Sequence, residues 1–199
     1  MPAAPPTVPR PGFEQVVLAT GHMTDRPHRS APRFPASDEE AVTEAIEHTL
    51  RRWGVGEGAL VISGGARGAD ILVAEQAMAR GAEVWLLVAL PDDEFLAASV
   101  DAPGGDWAAR YRDLRRRCPT WFQTEELGPA RDDEDVFERN NNWCLEAARA
   151  QAPPGGLRVV AVWDGRPGDG RGGTSHLVEQ ARRAGASVEV IHPPASLYP

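Results

Sequence analysis

Residues 60–70 read LVISGGARGAD, a short apolar run that breaks into glycines and passes at once into the helix-compatible ILVAEQAMAR of residues 71–80. A strand that feeds a Gly-rich turn and then a helix gathers backbone N–H groups and the positive end of a helix dipole at one point, which suits a phosphate. A second turn of this kind, GDGRGGTSH at residues 168–176, follows the mostly apolar run 157–163. Two such units in one chain make an accident of composition a poor explanation for either.

Working outward, residues 16–20 (VVLAT) form a strand candidate that stops at Gly21. Residues 84–90 (VWLLVAL) form a continuous apolar strand closed by Pro91, and 187–191 (SVEVI) a last one. Helices are expected from the Ser37-Asp38-Glu39-Glu40 start to a stop near Gly54, over 69–80 with Gly81 ending it, over 133–151 and over 174–184. Apolar strands alternating with helices imply an α/β, Rossmann-like three-layer fold with a mostly parallel sheet and helices on both faces. Ligands of such folds lie outside the carboxyl ends of the strands, where the first, second and penultimate loops converge. Residues 1–14 are Pro-rich and read as a flexible lead-in, 15–193 as a single domain, and 92–126 as an irregular insertion over the strand ends, with helices around 93–99 and 106–117.

At 199 residues, 42% hydrophobic and 25% charged, the chain is long enough to bury one substantial core. A formal net charge of -8 repels a phosphate backbone over most of the surface, so no nucleic-acid partner is expected, whereas an Arg-lined pocket for a small anion remains compatible. Cys118 and Cys144 have neither metal-ligand spacing nor the density of a disulfide scaffold, which fits a reducing cytoplasm. No metal and no cofactor are expected, nor is any membrane association, because no apolar run approaches spanning length. All 21 basic residues are arginines, and with 18 prolines and 20 glycines this composition is associated with a GC-rich bacterial source.

Each candidate site residue has a plain structural alternative. Gly64, Gly65 and Gly68 allow positive φ and close backbone approach, Ser63 and Arg67 can meet an anion, and Asp70 can stabilise the helix dipole or accept from a ribose hydroxyl; a ligand-free strand-to-helix turn needs the same glycines. Thr174 can touch a phosphate or cap its helix, after Gly172 and Gly173. Asp164 suits a sugar or base edge, or an ordinary loop. Arg139 can reach a phosphate with its planar fork or pair with Glu138 or Asp135, and the run Asn140 to Asn142 favours function because three amides lower helix propensity. Thr20, Gly21 and His22 put the end of the first strand against a ligand, although a lone histidine is more often structural. Trp107, Arg110 and Tyr111 lie at helical spacing, as a base-stacking lid or as core. Neither a Walker loop nor the three-glycine dinucleotide fingerprint is present.

Through VLATGH, VISGGARGAD with LVAEQA, ERNNNW, and GGT with HLVEQARRAGASVEVI, the chain resembles the SLOG superfamily of Rossmann-like proteins, which includes the LOG phosphoribohydrolases and DprA. That resemblance implies a nucleotide or nucleotide-derived ligand and often a homodimer. It places Gly64, Gly65, Gly68, Ala69 and Asp70 in the first turn, Arg139 and Asn140 on a helix, and Gly172, Gly173 and Thr174 in the second turn. The phosphoribohydrolases resemble PGGxGTxxE, whose carboxylate serves hydrolysis; here Thr174 is followed by Ser175, His176 and Leu177, and Glu179 does not inherit that role. The reading is therefore a ligand-binding or sensing module. The alternatives are a nucleoside monophosphate phosphoribohydrolase using Arg139 and Asp70, and a scaffold that keeps the fold without a ligand.

Overall fold

The computed structural model describes residues 6–9, 12–103, 105–166 and 172–196. Six strands form one sheet: β1 (Gln15–Gly21), β2 (Ala59–Ser63), β3 (Glu83–Val88), β4 (Thr120–Phe122), β5 (Leu157–Val162) and β6 (Ser187–Ile191). Their order is β4-β3-β2-β1-β5-β6 and every pairing is parallel. The chain works outward from β1 to β4, then crosses back through a long helix to place β5 on the other side of β1. That reversal opens a crevice between β1 and β5, at the carboxyl ends of the strands.

Side chains alternate across the sheet, as the pleat requires. Val17 and Ala19 of β1 face α1 (Glu39–Arg52), α2 (Ala69–Ala79) and α4 (Trp107–Arg117), whereas Val16 and Leu18 face α6 (Val136–Gln151) and α7 (Thr174–Arg183). The result is the expected three-layer α/β fold with helices on both faces. Because both faces are covered, β1 and β2 bury nearly every side chain, which is why they read as unbroken apolar runs. The second layer is anchored by Trp85 and Trp121, whose rings lie 5.2 Å apart, and by Trp143.

Two local expectations differ from the structure, and one pair of alternatives is decided by it. Residues 92–126 are not wholly irregular: they form α3 (Asp92–Phe95), a π turn over Leu96–Val100, α4, β4 and α5 (Gln123–Glu126). β4 pairs with β3 and extends the sheet, so this stretch completes the edge as well as reaching over the strand ends. Asp38 does not cap α1 with its side chain, because its own backbone is already helical (φ -93, ψ -2); its carboxylate accepts instead from the Ala195 amide at 2.7 Å. Of the two readings of Trp107 and Tyr111 the core one holds, at 4% and 0% exposure. Arg110 packs over the Trp107 ring and bridges Glu75 and Glu39. Of the Pro-rich lead-in, residues 1–5, 10 and 11 lie outside the described residues, as do 167–171 of the second glycine turn. Among the described residues no helix is long and apolar enough to cross a membrane.

Candidate functional site

A cleft of about 400 Å³ occupies the crevice at the carboxyl ends of β1, β2, β3 and β5, a size that suits a small ligand. Of the expected site residues it gathers Thr20, Gly21, His22, Gly64, Asp70, Asn140, Gly172, Gly173 and Thr174. Arg33, Asp135, Phe137 and Phe95, which carry no site signal in the sequence, also line it, as does Asn141 of the amide run.

The end of β1 is shaped by contact. Gly21 has φ +152, and a Cβ there would stand 2.5 Å from the Val162 carbonyl oxygen and 2.6 Å from the Ala69 Cβ. At Gly68 (φ +84) a Cβ would stand 2.7 Å from both the His22 carbonyl oxygen and the Thr24 amide nitrogen. These glycines let the turn after β1 lie directly on the start of α2, where the Ala69 amide donates to the His22 carbonyl at 3.2 Å. Ala69 itself is buried beneath that contact.

The first glycine turn satisfies itself. The Gly65 amide donates to Ser63 Oγ at 3.1 Å, and that hydroxyl donates to the Asp70 carbonyl at 3.1 Å. The Ala66 amide reaches the Asp70 carboxylate at 3.3 Å, and the Arg67 amide the Ser99 carbonyl at 3.0 Å. The expectation that this turn is an open phosphate cradle is therefore corrected: four of its N–H groups already have acceptors, counting that of Ala69. Ser63 is fully buried and Gly65 abuts Tyr111, so neither meets the cleft. Gly64 does, and its missing side chain leaves room for Asp70, whose Oδ2 would lie 2.8 Å from a Cβ. Removed from water, with one backbone amide in partial compensation, the Asp70 carboxyl is pushed up to about 7. The Cys144 thiol, buried beside it, is pushed up as well.

On the opposite wall, Asp135 caps α6 by accepting from the Phe137 and Glu138 amides, each at 2.9 Å. Asp135 with Glu138 three residues later is a helix-start pattern that marks this boundary in the sequence. Asn140 donates to the Leu87 carbonyl at 3.0 Å and so ties α6 to β3; Asn141 donates to the Gly172 carbonyl at 2.8 Å and ties it to the start of α7. Arg139 is turned away. Its fork donates to the carbonyls of Gly128 at 2.9 Å and Leu127 at 2.7 Å, closing the segment after α5, so the expected phosphate contact is corrected to a structural one. Asp164 is likewise committed: its side chain is fully covered, with Oδ1 3.0 Å from His22 Nε2 and Oδ2 3.3 Å from Arg33 Nε. The latter is a charge contact, without hydrogen-bond geometry. Burial lowers the His22 pKa despite this partner.

Among the described residues the start of α7 offers open donors. α7 begins after Gly173 without a side-chain cap, and among the described residues the Thr174 and Ser175 amides have no acceptor. They stand at the positive end of a ten-residue helix, whose Thr174 lines the cleft. Phe137 stands nearby with 40% of its surface exposed, a planar apolar face at the mouth. Among the described residues no group of three or more His, Cys, Asp or Glu is gathered to hold a metal ion.

No protein-family model matches the chain, and no curated protein matches it. Among solved structures, DNA processing protein A (DprA) from Streptococcus pneumoniae is similar over 89% of this chain and 50% of its own, with 15% identity and a TM-score of 0.49. This chain thus spans half the length of that protein. DprA from Helicobacter pylori, solved to explain its single-stranded DNA binding mode, is similar over 88% of this chain and 75% of its own, with 14% identity and a TM-score of 0.34. Both likenesses are to the fold, and DprA is a member of the group that the sequence motifs resemble. The expected absence of a nucleic-acid partner is not upheld: the Helicobacter pylori protein has a single-stranded DNA binding mode, a property of that protein. Net charge is a property of the whole surface and does not fix the potential over one pocket.

Proposed function

We propose that this chain is a SLOG-type binding module that holds a nucleotide or nucleotide-derived ligand in the switch-point cleft and acts as a ligand sensor. The observation that carries the reading is the start of α7, which has no side-chain cap and lines the cleft at Thr174, the Thr174 and Ser175 amides having no acceptor among the described residues. A phosphate there accepts from those amides and the Thr174 hydroxyl, and the base stacks on Phe137. A thermal-shift series with AMP, cyclic nucleotides, ADP-ribose and a single-stranded oligonucleotide tests it. At least one compound is expected to stabilise the fold, by about 2.7 kcal/mol at a hundredfold excess over its Kd, and Phe137→Ala is expected to weaken that shift. No shift with any of them would overturn the reading.

A hydrolytic reading is favoured by one feature, the Asp70 carboxyl, which at about 7 retains a proton near neutrality and lies in the cleft. Such a group can protonate a departing base. Arg139, which the family resemblance assigns to this reaction, is spent on Leu127 and Gly128. Assaying the same nucleotides for free base separates the two: no release is expected, and steady release abolished in Asp70→Asn would replace the sensor by a hydrolase.

A further inference from the structure

The loop after β1 folds over the start of the first glycine turn and closes a second hollow, of about 360 Å³. Its walls carry Arg26, Arg29, Arg33 and Arg67. In a chain of net charge -8, four guanidinium groups around one hollow are not an average of the composition. The carboxylate among them, Asp25, is engaged in building the loop: its Oδ2 accepts from the amides of Arg33 at 2.8 Å and Phe34 at 3.0 Å, and it pairs with Arg29 at 3.6 Å. Arg33 pairs with Asp164.

Arg67 decides the reading. It is 3% exposed, its Nε donates to the Thr24 carbonyl at 3.2 Å, and its Nη1 is buried with no partner among the described residues. Burial and then the charge of Arg26 lower its proton affinity, and the carboxylates of Asp101 and Asp25 oppose that fall without cancelling it. A buried cation with an unspent donor and a like charge beside it costs stability until an anion completes it. The planar fork matches phosphate oxygens in geometry as well as in charge.

We propose that this hollow is a second phosphate subsite, in which Arg67 and Arg26 hold one phosphate group. It adjoins the cleft through His22, Met23 and Arg33, which line both. A ligand filling both carries two phosphates, either as a nucleoside bisphosphate or as neighbouring phosphodiesters of a single strand. The subsite does not depend on what the cleft binds.

Titration calorimetry of the full chain with inorganic pyrophosphate at low salt tests the subsite. Binding is expected in the wild type and is weakened about tenfold in Arg26→Ala, as befits loss of one charge-assisted contact; Ser175→Asp, which sets a carboxylate over the start of α7, is expected to remove only the share of binding held in the cleft. Arg67→Met is expected to match Arg26→Ala; because Arg67 is buried, the exposed Arg26 keeps the test valid if the former fails to fold. Absence of pyrophosphate binding, or binding indifferent to Arg26→Ala, would overturn the subsite. Loss in Ser175→Asp alone would instead locate the anion at α7, supporting the cleft reading against this one. Repeating the comparison with a nucleoside bisphosphate and with an oligothymidylate identifies the phosphate source by which of them Arg26→Ala weakens; an effect on neither would also overturn the proposal.

Discussion

Asp70 sits at the start of α2, where a carboxylate ordinarily gains from the helix dipole, yet loss of water dominates and its pKa rises from 3.8 to about 7. The sign of the consequence follows from linkage: between those two values the folded chain holds a proton that the unfolded chain has released, so stability falls as pH rises from about 4 through about 7. Asp70→Asn is expected to flatten that fall and to raise stability at pH 8 by about 1–2 kcal/mol; urea midpoints across the pH range measure it, and an unchanged slope would mean that Asp70 ionises normally. Gly64 belongs to the same arrangement, since a side chain there would displace this carboxylate. The residue types of the turn were legible in the sequence, but their use was not. The Gly65 amide is taken up by Ser63, that of Ala66 by Asp70 and that of Arg67 by Ser99, a pattern set by backbone angles and a distant neighbour that composition does not carry.

At the scale of elements, α6 separates two roles that lie side by side in ERNNNW. Helical geometry turns successive residues by roughly 100°, so Asn140 and Asn141 face β3 and α7 while Arg139 faces the segment after α5. Arg139→Ala is expected to cost about 1–2 kcal/mol by leaving the carbonyls of Leu127 and Gly128 without their donors, with no loss of nucleotide affinity. Chemical denaturation and a binding titration on the same variant check both halves, and a weakened affinity would restore the phosphate role that the family resemblance suggests. The strands and long helices were legible from apolar runs and glycine stops to within a few residues. β4 was not: three residues, Thr120–Phe122, carry no period, and their pairing with β3 depends on where α4 delivers them.

For the molecule as a whole, the decisive feature is the reversal of strand order around β1. It brings Gly21, Val162 and Ala69, from three separate elements, into contact beneath the cleft. Gly21→Ala is expected to lower the stability of the entire fold by about 2–4 kcal/mol, since the methyl must force β1 from β5 or from α2; a lowered urea midpoint with an unchanged slope is the expected result, and a wild-type midpoint would refute the close approach. The sequence alone determined the parallel α/β architecture, because apolar period, glycine stops and alternation of elements are local properties that each segment expresses by itself. It also placed the cleft, because strand-end loops carry the glycines and polar residues that a switch point needs. Tertiary structure alone decided which of those polar groups remain open to a ligand. Arg139, Asp164 and Ser63 find partners within the fold, whereas the Thr174 and Ser175 amides and Arg67 Nη1 find none among the described residues. Whether a donor is spent or open depends on neighbours distant in sequence, and only folding brings them within bonding distance.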